Sequence, residues 1–248
     1  MQDQIRPDDW FAGLDFGTDV YAARDGGTVR NTRAGGASPE ADLLDRQTVP
    51  ADDAAYRARL TEVFGPREAR LADRLAHDAE AQRLAARLAG DRSAGERLHA
   101  RVSAAMGEVF GFAPAPLSWS AGLPADNAIG LFLRGAGWER VVISLRLLDR
   151  PALFVDTIVH EQTHRLQHAL TCRLNTPQVP LDPLERGLVL YWLRKEPDRK
   201  RDYARAARTR DPRMRMALYQ AIPIEFHAYG AASRLLRAAF PGLPPAGG

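Results

Sequence analysis

A single cysteine, Cys172, serves a chain of 248 residues. That excludes an intramolecular disulfide and a cysteine-based metal cluster, and makes a reducing compartment the simplest expectation. Long apolar runs are missing too. No stretch approaches eighteen uncharged apolar residues, so no membrane-spanning helix is expected. The opening Met1-Gln-Asp-Gln-Ile-Arg-Pro has neither a basic start nor an apolar core of the kind that directs secretion. A cytoplasmic location is expected, or export by a route that uses no signal peptide. What remains is an ordinary mixture, 45% hydrophobic with a net charge of +3, enough for one sizeable domain or two small ones.

Against this background one stretch stands out, Val159-His160-Glu161-Gln162-Thr163-His164-Arg165-Leu166. It contains H-E-x-x-H. Phe154, Val155, Ile158, Val159, Leu166 and Leu170 recur around it at helical spacing, with no Gly or Pro between Ala152 and Asn175. On a helix, residues four apart lie one turn above each other, so His160 and His164 can hold one metal ion between them. Glu161 is one step round, where it reaches a metal-bound water rather than the metal. Two imidazoles on zinc with a carboxylate as general base is the zincin arrangement.

A catalytic zinc takes three protein ligands and keeps one position for water. The metzincin pattern needs Gly three residues and His six residues after the second histidine; those positions hold Gln167 and Leu170. His168 continues the stripe, but three ligands at i, i+4 and i+8 on a straight helix cannot surround one ion, so a supporting or partly exposed role is expected for it. The better candidate lies in Tyr219-Gln-Ala-Ile-Pro-Ile-Glu225-Phe-His-Ala-Tyr-Gly230. Pro223 suits the first turn of a helix. Glu225 sits in that turn, and Ala228 is small enough for close helix packing, so Glu225 can face the histidines and supply the third ligand.

At this point the sequence resembles the gluzincin metallopeptidases, in which a downstream helix contributes a glutamate. More narrowly, Tyr219, Pro223, Glu225 and Ala228 look like the Y-x-x-x-P-x-E-x-x-A segment of metallopeptidases found in phage, plasmid and toxin-associated proteins. The resemblance covers residues 150–232 at most. It implies a zincin-like α+β domain, mostly helical, with a small sheet, the H-E-x-x-H helix and a later glutamate-bearing helix. It also implies zinc as cofactor, a protein or peptide as substrate lying along a strand edge, and hydrolysis with Glu161 as base. Tyr229, one turn past Glu225, is the first candidate for an oxyanion stabiliser, with His227 and Tyr219 behind it. Asp156, one turn before His160, is a candidate to orient an imidazole.

The rest of the chain divides around this domain. Residues 1–50 are rich in Gly, Asp and Thr and read as an extension, with a possible hairpin turning at Asp25-Gly-Gly27. The zincin-like domain is expected over 51–240, and 241–248 is a loose tail. Gly65-Pro66 should end a first helix, and Ser93 with Glu96 reads as a capping box for a third. His77 and His99 are expected at the surface. Runs at 117–120, 128–134 and 141–147 read as strands, the last two as a hairpin, and 181–193 as a helix. Arg194 to Arg215 then holds ten basic and four acidic residues. That segment offers a second reading, a binding module that docks nucleic acid or an acidic partner. A third, a secreted effector or toxin peptidase, rests on the resemblance alone.

Overall fold

The computed structural model describes residues 48–123, 129–135, 137–174, 176 and 180–243. The expected turn at Asp25–Gly27 and most of the C-terminal tail lie outside them. The described chain is α+β and mostly helical, with one three-stranded sheet. In order it runs α1 (Asp53–Ala76), α2 (Ala79–Ala86), α3 (Arg92–Phe110), β1 (Leu117–Ser120), β2 (Gly130–Gly135), β3 (Trp138–Ser144), a 3₁₀ turn (Leu145–Asp149), α4 (Pro151–Leu174), α5 (Pro183–Arg208), α6 (Pro212–Gln220) and α7 (Pro223–Ala239). No helix among the described residues is long and apolar enough to cross a membrane.

The helix boundaries correct several sequence expectations. α1 runs through Gly65-Pro66 rather than ending there. An interior proline removes one backbone hydrogen bond and costs roughly 3 kcal/mol. Tyr56, Leu60, Phe64, Leu71 and Leu75 all bury on one face of this helix, and each such burial returns about 1.5–3 kcal/mol, so the helix continues. The break falls instead at His77-Asp78, where the Asp78 carboxylate accepts from the Ala81 N–H at 3.0 Å and caps α2. The Ser93/Glu96 box does not form. Asp91 caps α3 by accepting from the Ala94 N–H at 3.0 Å, while Glu96 accepts from Arg92 Nε and Trp119 Nε1. α5 likewise passes through Pro197 and takes in much of the basic segment, held down by buried Tyr203, Ala206 and Ala207.

The sheet has the order β1-β3-β2, with β1 parallel and β2 antiparallel to β3. The hairpin is tighter than its sequence suggests. Gly135 pairs with Trp138, and Gly137 takes a left-handed φ of 79° that glycine adopts without strain. β3 therefore starts earlier than expected, and the apolar residues after it form the 3₁₀ turn. Central β3 buries Val141, Val142, Ile143 and Ser144, and β2 is left at an edge.

α4 is the hub. It packs on α3, on α7, on the sheet and on α5, and it buries polar residues as well as apolar ones: His160, Glu161, Gln162, Thr163 and Gln167. Buried polar groups persist only where they are satisfied, and Gln162 illustrates how. Its Oε1 accepts from the Ala115 N–H at 3.1 Å, and its Nε2 donates to the Ala115 carbonyl at 2.8 Å and to Ser103 Oγ at 3.0 Å. This fixes the chain just before β1. His99, expected at the surface, is buried in the same network, 3.3 Å from both Gln162 Nε2 and Ser103 Oγ. A helix that looks one-sided in sequence is covered from two directions here, by α1 and α4.

Burial holds His99 down to about pH 4, well under its ordinary 6.5. The unfolded chain therefore binds a proton on this side chain before the folded chain does. Its contribution to stability is intact above pH 6.5 and is lost as pH falls from 6.5 toward 4, by up to about 3 kcal/mol. Urea unfolding followed across that range should show His99→Gln flattening this part of the acid destabilisation; an unchanged pH profile would contradict the assignment.

Candidate metal centre

The centre is assembled from two helices. α4 supplies His160 and His164 on one face, a turn apart. α7 supplies Glu225 from its first turn, with Pro223 at the start of the helix as expected. α7 comes close enough because Ala228, Ala231 and Ala232 face inward with little side chain to keep it off. Its entry is pinned by Tyr56, whose hydroxyl donates to the Pro223 carbonyl at 2.6 Å and accepts from Trp192 Nε1 at 2.9 Å.

His160 Nε2 and His164 Nε2 are 3.0 Å apart, and Glu225 Oε2 is 3.2 Å from the first and 3.4 Å from the second. Ligand atoms bound at about 2.0–2.1 Å around a tetrahedral zinc stand roughly 3.3 Å from one another. The three atoms thus outline one face of such a shell, and the group could hold a metal ion. Glu225 Oε2 is buried and faces only the two imidazole nitrogens among the described residues, while Oε1 accepts from the Tyr203 hydroxyl at 2.5 Å. One oxygen is anchored and the other is left for a cation, and the two-nitrogen, one-oxygen donor set suits zinc.

The electrostatics are those of a tightly coupled buried cluster. Burial by itself would raise the Glu225 carboxyl, but the His164 charge and contacts from both imidazoles override it and hold the group well below the usual carboxylate range. Burial would lower His164; Glu225, with Glu161 and Gln167, overcomes it and lifts the imidazole to about 9. Glu161 is raised, chiefly by burial and against the pull of His160 and His164.

Glu161 lies at the centre's edge, against β2. It accepts a hydrogen bond from the Phe132 N–H. A Cβ on Gly130 would fall 2.3 Å from Thr157 Cγ2 and 3.0 Å from Glu161 Oε1, so only glycine lets the strand pass this close. Tyr229, the leading oxyanion candidate, packs its ring edge-on to His160 with centroids 4.5 Å apart. Tyr219 stands behind it at 6.0 Å. His227 does not join them. It is buried, stacked on Phe64 at 4.5 Å and Trp192 at 5.9 Å, and burial lowers it to about 3. A neutral core histidine turned away from the ligands stabilises no oxyanion, because residue 227 falls on the opposite side of α7 from Glu225. Asp156 is coupled to His160 by charge, but among the described residues no hydrogen bond joins them. His168 lies away from the ligands, 2.7 Å from Glu139 Oε1 and 3.1 Å from Arg134 Nη1.

Two residues that support the centre escape a reading of the sequence. Gln167 Oε1 sits 2.9 Å from His164 Nδ1, and its Nε2 donates to the Ile224 carbonyl at 2.9 Å. It orients the imidazole and ties it to the start of α7. Its spacing, three residues after His164, was the available signal. Tyr203 offers none, since it reaches Glu225 only through the packing of α5. In the basic segment around it, Arg199 pairs with Glu196 and Arg201 with Asp198.

Comparison with protein-family models, with curated proteins and with solved structures returned no match to this chain.

Elemental mass spectrometry on untagged protein purified without chelator should find about one zinc per chain, lost in His160→Ala and reduced in Glu225→Ala. Tyr203→Phe and Gln167→Ala should keep the fold and weaken zinc affinity by roughly 10–100-fold, the usual cost of removing a partner that orients a ligand. Zinc binding that is unchanged in Glu225→Ala would remove that residue from the ligand set.

Proposed function

We propose that this chain is a zincin-like metallopeptidase of the gluzincin type, hydrolysing peptide bonds at a zinc ion held by His160, His164 and Glu225. The observation that carries the reading is the 3.0–3.4 Å spacing of three ligand atoms, His160 Nε2, His164 Nε2 and Glu225 Oε2, at a site where both His160 and Glu225 are buried. Zinc in that position would lower the pKa of a bound water toward neutral and polarise a scissile carbonyl.

The chain's own residues do the rest. Glu161, next to His160 in sequence and braced by the Phe132 N–H, accepts a proton from the attacking water and returns it to the leaving nitrogen. Tyr229, packed on His160, is the candidate to steady the oxyanion. β2 is at the edge of the sheet and runs beside Glu161, so an extended peptide adds there as a further strand with its backbone next to the base. The competing reading, a nucleic-acid or acidic-partner footprint over 194–215, is weakened because Glu196 and Asp198 take up part of that charge within the helix.

The test is a zinc-loaded digest of a peptide library, read by mass spectrometry. Wild type should cleave internal peptide bonds. Glu161→Gln should keep its zinc and lose about 10²–10⁴-fold in rate. Turnover retained in Glu161→Gln would remove this residue as the base, and no cleavage by zinc-loaded wild type would count against a peptidase.

A further inference from the structure

One surface is left with no use by the metal centre. α6 buries none of its residues. Among the described residues it carries two of the four large hydrophobic side chains that stand exposed, Met214 at 55% and Met216 at 47%. α6 packs on α5, and Arg213 on α6 and Lys200, Arg201, Arg205 and Arg208 on α5 are all exposed. Three acids share these stretches: Asp198, which pairs with Arg201 at 3.0 Å, Asp202, and Asp211, which caps α6 at Arg213 and Met214, so the five cations keep an excess of two. Two adjoining helices that expose thioethers and an excess of cations suit a partner that is acidic and aromatic together.

The same chain contains that partner. Residues 1–47 hold nine acidic and five basic residues, so a chain of net +3 divides into a negative N-terminal segment and a remainder of +7. The contrast is strongest in residues 1–19, with five acidic residues and one basic, interleaved with Ile5, Trp10, Phe11, Leu14 and Phe16. The segment also joins the fold at the right helix. A Cβ on Gly187 of α5 would meet the Thr48 carbonyl at 2.2 Å, and Arg194 of α5 donates to the Pro50 carbonyl at 3.3 Å. From Arg194 to Arg208 is about 21 Å of helix, and residues 20–47 can span up to roughly 90 Å. Attachment within one chain supplies an effective concentration on the order of 1 mM, so an intrinsic dissociation constant of about 0.1 mM suffices to keep the contact mostly formed.

We propose that residues 2–19 dock within the same chain on the basic, methionine-bearing face of α5 and α6, their aspartates against Lys200, Arg205, Arg208 and Arg213 and their aromatic rings on Met214 and Met216. The docking is independent of whether the centre takes a metal.

The composition of the chain makes a direct test available. Its only lysines are Lys195 and Lys200, so a zero-length carbodiimide, which joins an amine to a carboxylate, has two side-chain targets. The full-length protein is cross-linked and mapped by mass spectrometry. Lys195 lies 3.8 Å from Asp53, and that link reports an intact fold in every sample. The proposal expects Lys200 joined to one or more of Asp3, Asp8, Asp9, Asp15 and Asp19 within one chain. The yield should fall at least fivefold in about 1 M salt, where the screening length is about 3 Å, and in the combined variant Arg205→Glu, Arg208→Glu, Arg213→Glu. Links from Lys200 only to carboxylates beyond residue 47 would overturn it. So would links that, in an equal mixture of ¹⁵N-labelled and unlabelled protein, join one chain to another, since the occupant would then be a second copy.

Discussion

Glu225 is buried between two imidazoles, and a carboxylate in that position has to be neutralised. Much of what surrounds it follows from this constraint. One carboxylate oxygen is fixed by the Tyr203 hydroxyl, which requires α5 to pass behind α7. The other faces His160 and His164, which requires α7 to lie almost in contact with α4. Alanines at 228, 231 and 232 make that approach possible. Tyr56 and Gln167 then lock the first turn of α7 by binding the carbonyls of Pro223 and Ile224. A shift of α7 by one residue would rotate Glu225 by about 100° and leave a buried charge facing hydrocarbon, so the charge itself selects the helix register.

α4 repeats the logic at a larger scale. An apolar helix would fill the middle of this fold at lower cost, because each buried polar side chain needs partners. Gln162 meets the requirement by serving both backbone groups of Ala115, and Thr163 and Thr157 do so by returning their hydroxyls to the carbonyls of Val159 and Leu153. These three residues stabilise the structure they sit in.

The sequence discloses whatever is local and little that depends on distant packing. His160, Glu161 and His164 are legible because helical spacing alone brings both imidazoles to one side, and the helix that carries them begins at Pro151 as its sequence implies. The edge hairpin is legible from its glycines, though not its register, since the Gly135–Trp138 pairing draws Trp138 and Glu139 into β3. Glu225 was legible from Pro223 at the helix start and small Ala228 beside it, and the resemblance added to that, since no spacing links it to the distant histidines. Pro66 misled, and α5 passes through Pro197 for the same reason that α1 passes through Pro66. Local propensity says break, but the buried faces beyond each proline outweigh one lost hydrogen bond. His99 and Tyr203 could not be read at all. One looks like a surface histidine until α4 covers it, and the other sits among arginines until α5 turns it inward.

Glu161 differs from its buried neighbours on α4 in how little it returns to the fold for the cost of its burial. Its carboxyl is raised by burial, it accepts from the Phe132 N–H, and with Thr157 it leaves no room for a side chain at residue 130. A leucine at 161 would remove a desolvated acid, and a side chain at 130 would stiffen the strand, so folding alone selects against both choices. Groups kept against the interest of stability concentrate where chemistry is done. Gln162, one residue further along the same helix, shows what a buried polar side chain looks like when it serves the fold: both ends of its amide are occupied. The contrast between adjacent residues, one with both ends of its amide occupied and one a desolvated acid, supports the proposal that Glu161 serves chemistry at the cluster beside it.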